Sequence, residues 1–537
     1  MAHTRTYPDL REHLARLEKE GLLIRVDRAI DKDSEMHPLV RWQFRGGIAE
    51  PDRKAFLFTN VVDAKGRRYD MPVVVGAFAA NREIYRLGLG IDSLDDVAAV
   101  WARAVRNQQT PREVTDAPCQ EIVIIGDELD QAGRGLDALP VPISTPGWDN
   151  GPYLTTSGFI TKDPDTGLQN MGNYRGQIKA RRRLGMNPSV ELQPGILAHW
   201  QTLRARGKKL PCAVAIGSPP AVTFASVQKL PPGVEELAVA GGLVGEPINV
   251  VRAKTVDLLV PAEAEVIIEG LIDTEYLEPE APFGESHGHV NLQEFNAYMD
   301  VTAITFRRDA IMTSIISQVT PSESSLIKRV AYEPMFLNHL RENLGIKGVL
   351  KVSMHEPLTN LRKFLVVQFA SGTPEVEIWR ALYGAAVLQR SSGKFVIAVD
   401  EDIDPDNADA ILWAMAYRMH PEHDMQVLPH RDPGHGPRTE ARRTEASVLM
   451  NAMLKSTFPP ISLPKREFME RARHIWEELG LPPLRPEAPW HGYSLGDWTE
   501  EFERDAEAAI RGDYFDKSDR LIQARRNDVE MNTEVER

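Results

Sequence analysis

Residues 278–289 read Glu278-Pro-Glu-Ala-Pro-Phe-Gly-Glu-Ser-His-Gly-His289. Two acids, Glu280 and Glu285, flank a rigid Pro-Phe-Gly turn, in a loop with no other reason to hold acids and an aromatic ring together. Two carboxylates in unequal surroundings can divide into an ionised group and a proton donor. Loops carried on a sheet often hold function. His287 and His289 alternate as H-x-H, which alone is an incomplete zinc set.

The surroundings of this turn are β-rich. Glu121–Ile125, Ala213–Ile216, Val222–Ala225, Val266–Glu269 and Val301–Phe306 are short apolar runs, separated by turns such as Pro146-Gly147 and Pro231-Pro-Gly233. Short strands at irregular spacing predict a barrel or a curled antiparallel sheet. One helix interrupts them, beginning near Val234 and continuing through Ala238, Ala240, Gly241 and Gly242.

On either side the texture changes. Upstream, Asp9 and Glu12 are placed to cap a helix whose Leu10, Leu14 and Leu17 share one face, and Gly21 stops it. Strands at 22–26, 55–58 and 72–75 and a helix over 93–105 complete a small α/β unit. Downstream, strands at 349–352, 364–369, 395–399 and 425–428 alternate with helices at 374–389 and 407–418, a pattern that predicts a mainly parallel sheet. The expected fold is therefore α/β and multidomain. Its parts are an N-terminal α/β domain (1–118), a central barrel-like domain (119–325), a C-terminal α/β domain (326–490) and a charged helix and tail (491–537).

The chain has 537 residues, too long for one core. Its 63 basic and 77 acidic side chains give a net charge of −14, which disfavours broad nucleic-acid binding. Two cysteines, Cys119 and Cys212, exclude a disulfide framework and read as packing residues. The first residues lack a signal-peptide core, and no apolar run approaches the roughly 20 residues that span a bilayer. A cytoplasmic protein without an integral membrane segment is expected.

Two further segments carry chemistry. Asn170-Met-Gly-Asn-Tyr-Arg175 joins an amide oxygen to a guanidinium fork suited to a carboxylate or phosphate, with Gly172 allowing a tight backbone turn. Pro231-Pro-Gly-Val-Glu-Glu236 opens the middle helix. An acid there is ordinarily a dipole partner, yet beside Asn170 it can be a hard-metal ligand.

Taken in order, Asn-x-Gly-x-Tyr-Arg, Gly-Val-x-Glu and Glu-x-Pro-Phe-Gly-Glu-x-His-Gly resemble the UbiD carboxy-lyases, as does Asp400-Glu-Asp-Ile-Asp404 further on. The resemblance covers roughly residues 9–428. It implies that the central domain is a split β-barrel binding prenylated FMN, and that the reaction is reversible decarboxylation of an aromatic, heteroaromatic or α,β-unsaturated acid. Arg175, Glu280 and Glu285 would be the catalytic network, with Arg175 on the substrate carboxylate and Glu285 as proton donor. Asn170, Asn173, Tyr174, Arg175, Ser226, Gln228 and Glu236 would bind the cofactor. Asn170 and Glu236 would hold a divalent metal, usually Mn2+, against its phosphate, with K+ near Glu236 and Ser226.

In several members of the family a His about eighteen residues after the Arg is the third metal ligand. Here the region reads Pro188–Gln193 without one, so Glu191, Gln193 or water would substitute, and His199 is the nearest His. The resemblance also implies a flavin prenyltransferase as cofactor supplier, carbon dioxide as the released partner, and a homodimer or homohexamer. The acids at 400–404 read as turn and cap residues, and the basic run at Lys179 and Arg181–Arg183 as a solvated turn. Two rival readings are an FMN-dependent reductase on a split barrel and a non-catalytic cofactor-binding subunit. Neither has use for all three catalytic positions.

Overall fold

Asp9 opens the first helix, Leu10–Lys19, through a reciprocal capping box: its side chain accepts from Glu12 N at 3.0 Å while Glu12 accepts from Asp9 N at 2.9 Å. Leu10, Leu14 and Leu17 are buried beneath it. The structure is a computed structural model that describes residues 5–190, 194–231, 233–356, 359, 362–434, 444–513, 515, 518–527 and 529–531. The described residues fall into two units, 1–398 with 425–450 and 399–424 with 451–537.

In the first unit, Leu23–Val26 pairs in parallel with Ala55–Phe58, which pairs antiparallel with Val73–Val75. The last strand of this sheet, Met312–Ser314, arrives from far along the chain and adds in parallel to Val73–Val75. Two histidines are buried beside this sheet. His13 Nε2 lies 2.8 Å from Ala77 O, and His37 Nε2 lies 2.9 Å from Ser314 Oγ. Burial holds His13 down to about 4 and His37 to about 3, from an ordinary 6.5.

Both folded values lie below the unfolded one, so the unfolded chain binds more protons between pH 6.5 and the folded values. The associated stability is present above pH 6.5 and is lost as pH falls, with His13 alone accounting for about 3 kcal/mol. Thermal melts should therefore drop steeply between pH 6.5 and 4. A His13→Gln/His37→Gln protein should show a flatter pH profile, and an unchanged slope would contradict this assignment.

The central part is one antiparallel sheet. Five of its strands carry the site: β1 (Gln169–Asn173), β2 (Arg175–Ala180), β3 (Arg183–Asn187), β4 (Glu278–Glu280) and β5 (Glu294–Phe306). From β1 the order runs through Gly158–Lys162, Leu210–Ile216 and Val266–Ile272 to β5, then β3, β2 and Tyr153–Leu154. β4 and Ile122–Ile125 also pair with β5. β1 stands at one margin and β2 lies next to the other, yet only Tyr174 separates them in sequence. The sheet must therefore curl until its margins meet. No strand pairing closes that seam among the described residues, and the result is a split barrel.

Three helices interrupt these strands: Gly195–Ala205, Pro220–Val227 and α1 (Glu236–Val244). Val222–Ala225, read from sequence as a β run, is thus helical. Its residues are buried on nearly every side, which removes the periodicity that separates helix from strand, and Pro220 at the first helical turn is the signal that decides it.

After the barrel, Ser322 caps α2 (Glu323–Asn338), and a five-stranded sheet follows. Helices Glu375–Val387 and Ala408–Arg418 fall where the alternation predicts them. The two outer strand pairs are antiparallel, Val349–Met354 with Phe364–Phe369 and Met425–Arg431 with Glu445–Asn451. No helix lies between the partners of either pair among the described residues, so neither has the crossover a parallel neighbour requires.

In the second unit, Arg418 is buried and donates to Asp400 Oδ2 and Asp402 Oδ1 at 2.8 and 2.7 Å. These acids shape the strand end, as the sequence suggests. Thr499 caps the predicted terminal helix at Glu500–Arg511. No helix among the described residues is long and apolar enough to cross a membrane.

Candidate active site

β2 begins with Arg175, and its neighbour across the barrel floor is the acid turn that β4 enters. Arg175 Nε and Nη2 donate to the two oxygens of Glu280 at 2.9 and 2.8 Å, a bidentate pair. Arg175 Nη1 donates to Glu285 Oε1, and the guanidinium lies 4.9 Å from the Phe283 ring centre. The three residues brought together from sequence are therefore in direct contact.

The two glutamates differ in their surroundings. Glu280 also accepts from Asn296 Nδ2 at 3.1 Å and Asn187 Nδ2 at 3.5 Å, so both of its oxygens are held by donors. Glu285, in contrast, stands on the wall of a cavity of about 320 Å³, as does Arg175. Glu280 does not line that cavity.

The turn between the acids is clamped from behind by residues 145–153. Asp149 accepts from Gly284 N at 3.0 Å and from Thr145 N at 2.7 Å, while Asn150 Nδ2 donates to Ala281 O at 2.8 Å. Ala281 N donates to the Tyr153 hydroxyl, whose ring packs 4.4 Å from Phe283. A Cβ at Gly284 would fall on Thr145 and press on Gln318, so only glycine permits this close seat. Burial raises the Asp149 carboxyl, which the Gly284 and Thr145 donors and Arg175 oppose.

The opposite part of the cavity wall carries Asn170, Ser226, Gln228 and Glu236. Glu236 accepts from Met171 N at 2.8 Å, which ties the first turn of α1 to β1. Burial raises its carboxyl to about 7. Glu235 performs a neighbouring structural task by accepting from Gln169 N. Asn173 lines the cavity too, but its amide is engaged by the backbone at Ser157 N and Thr155 O. Gly172 is in extended strand, and its role differs from a turn: a Cβ there would collide with the Tyr174 ring.

Other expectations resolve plainly. Glu191 and Gln193 lie outside the described residues. His199 faces Thr161, 2.9 Å from its hydroxyl, and does not line the cavity. The basic run is ion-paired, Lys179 and Arg183 to Glu278, Arg181 to Asp137 and Arg182 to Asp130. The His287 and His289 rings stand 6.0 Å apart on the turn, and the metal-capable group found among the described residues lies elsewhere, at His420, Glu422 and His423. Both cysteines are free and buried. Sequence reading missed Asp149, Asn150, Tyr153, Asn187 and Asn296; each is an isolated polar residue whose importance comes only from its place in the fold.

Three family models match consecutive parts of the chain: the 3-octaprenyl-4-hydroxybenzoate carboxy-lyase N-terminal domain at residues 14–103, its Rift-related domain at 112–319 and its C-terminal domain at 326–436. An uncharacterized protein from Archaeoglobus fulgidus is 30% identical over 447 residues, covering 79% of this chain and 86% of its own.

Two solved structures are of the UbiD-class enzyme HmfF from Pelotomaculum thermopropionicum. One, in complex with FMN, has a TM-score of 0.75 at 28% identity and covers 87% of this chain and all of its own. The other, an evolved dimeric form with prFMN, has a TM-score of 0.72 at 29% identity, covering 85% and 97%. The chain belongs to the UbiD family and is an enzyme of the carboxy-lyase class.

Proposed function

We propose that the protein reversibly decarboxylates an aromatic, heteroaromatic or α,β-unsaturated carboxylic acid with prenylated FMN bound in the 320 Å³ cavity. The observation that carries this reading is the Arg175–Glu280–Glu285 contact on the same cavity that Asn170 and Glu236 line. The donor set fits the cofactor and its metal. Gln228 Oε1 is buried without a hydrogen-bond partner, and Asn170 and Glu236 offer the hard oxygens that Mn2+ prefers. Asn173, Tyr174 and Ser226 complete the cofactor wall, with K+ near Ser226 and Glu236. Glu191 is the proposed third metal ligand.

When bound, the modified flavin supplies an electron-accepting centre that side chains lack. The chain's own residues do the rest. Glu280 stays ionised and fixes the guanidinium of Arg175, which orients the substrate carboxylate. Glu285 delivers a proton from its carboxyl to the carbon that releases carbon dioxide, and in reverse it removes that proton. A flavin prenyltransferase supplies the cofactor, and the enzyme works in the cytoplasm as a homodimer or homohexamer. In this reading an N-terminal α/β domain (1–118), a central cofactor domain (119–325), a C-terminal α/β domain (326–490) and a charged tail (491–537) make up the chain.

The test is a panel of aromatic and acrylic acids, incubated with holoenzyme in deuterium oxide and followed by carbon dioxide release and deuterium incorporation. Turnover of at least one acid is expected. A protein that instead reduces bound FMN with NADH, and exchanges no acid, would overturn the proposal.

The metal pocket has its own prediction. A Cβ at Gly195 would fall on Asn170 Oδ1, so Gly195→Ala must displace that ligand. The variant should fold but retain much less Mn2+ and flavin, read by metal analysis and absorbance. Full retention of both would remove Asn170 from the metal site.

A further inference from the structure

α2 presents Ser324, Lys328 and Tyr332 to the cavity at four-residue spacing, so one face of this helix forms part of the wall. Lys328 is the unusual member. No acceptor among the described residues is hydrogen-bonded to its amine, and the charge that bears on it is the like charge of Arg362. Arg362 and Lys229 line the same cavity. Burial, helped by Arg362, holds the Lys328 amine at about 7. Part-exposed on the cavity wall, an amine without a counter-charge favours a ligand that brings one.

Given the reading under Proposed function, two anions are already provided for. The substrate carboxylate faces Arg175, and the cofactor phosphate faces the metal at Asn170 and Glu236. We propose that Lys328 is a specificity-determining residue that pairs with a second acidic oxygen of the substrate. The natural substrate is then an unsaturated or aromatic acid that also carries a phenolic hydroxyl or a second carboxylate.

The experiment uses FMN-loaded protein, which binds acids without needing turnover, alongside the prenylated-FMN holoenzyme. Benzoate, 3- and 4-hydroxybenzoate, isophthalate and terephthalate are titrated against the flavin absorbance. Wild-type protein should bind at least one two-oxygen acid roughly 10- to 100-fold more tightly than benzoate, as expected for a charge-assisted hydrogen bond. Lys328→Met should bring that ratio to within about threefold with flavin content unchanged; Lys328→Gln replaces it should the Met variant fail to fold. A ratio near one in wild-type protein, or a ratio that survives both substitutions, overturns the proposal. Loss of flavin from the variants overturns it too, because Lys328 would then serve the cofactor phosphate. Wild-type protein that binds no flavin at all is a separate result, and it defeats the underlying decarboxylase reading.

Discussion

Glu285→Gln holoenzyme is expected to keep its flavin and lose decarboxylation by roughly 10²- to 10⁴-fold, the usual worth of a positioned proton donor. The substitution preserves shape and leaves an amide oxygen for Arg175 Nη1, so the guanidinium stays on Glu280. What disappears is the exchangeable proton at the cavity wall. The loss should appear in turnover and in deuterium exchange alike, while flavin absorbance and melting temperature change little. Activity within threefold of wild type would transfer the proton to another group. Asp149 is another acid beside the turn, but its oxygens are engaged by Gly284 N and Thr145 N.

Arg175→Ala should act on fold and chemistry together. Its guanidinium is bidentate on a buried carboxylate, and its removal leaves Glu280 with only the Asn187 and Asn296 amides. Orphaning one member of a buried ion pair costs about 3–5 kcal/mol, which chemical denaturation would read directly. Activity should be undetectable. Arg175→Ala/Glu280→Gln separates the two effects, since it also removes the stranded charge. Stability should largely return in the double variant and activity should not. Recovery of neither would show that Arg175 matters chiefly by packing against Phe283.

How much of this was legible before the fold was known depends on how local each signal is. The capping box at Asp9 and Glu12 is complete within four residues, and the structure shows both of its hydrogen bonds. The three motifs of the site are also local, because each is a short segment with a turn or helix start built in. Their meeting is not local: Arg175 reaches Glu280 across 105 residues of chain. Strand Met312–Ser314 joins a sheet whose other strands end at Val75, and no periodicity announces such a return. Val222–Ala225 failed for a different reason, since uniform burial erases amphipathic contrast. Asp149 and Asn150 sit in Thr145-Pro-Gly-Trp-Asp-Asn150, which reads as an ordinary turn until its amides and carboxylate are seen to grip the acid loop. Lys328 was not singled out from the sequence, and its place on the cavity wall is what distinguishes it.

The most direct measurement is the absorbance spectrum and mass of the flavin that accompanies the protein when it is co-expressed with a flavin prenyltransferase. Prenylated FMN at close to one per chain, in preference to plain FMN and dependent on Asn170, is the predicted result. Equal uptake of plain FMN, or no flavin under any condition, would contradict the account.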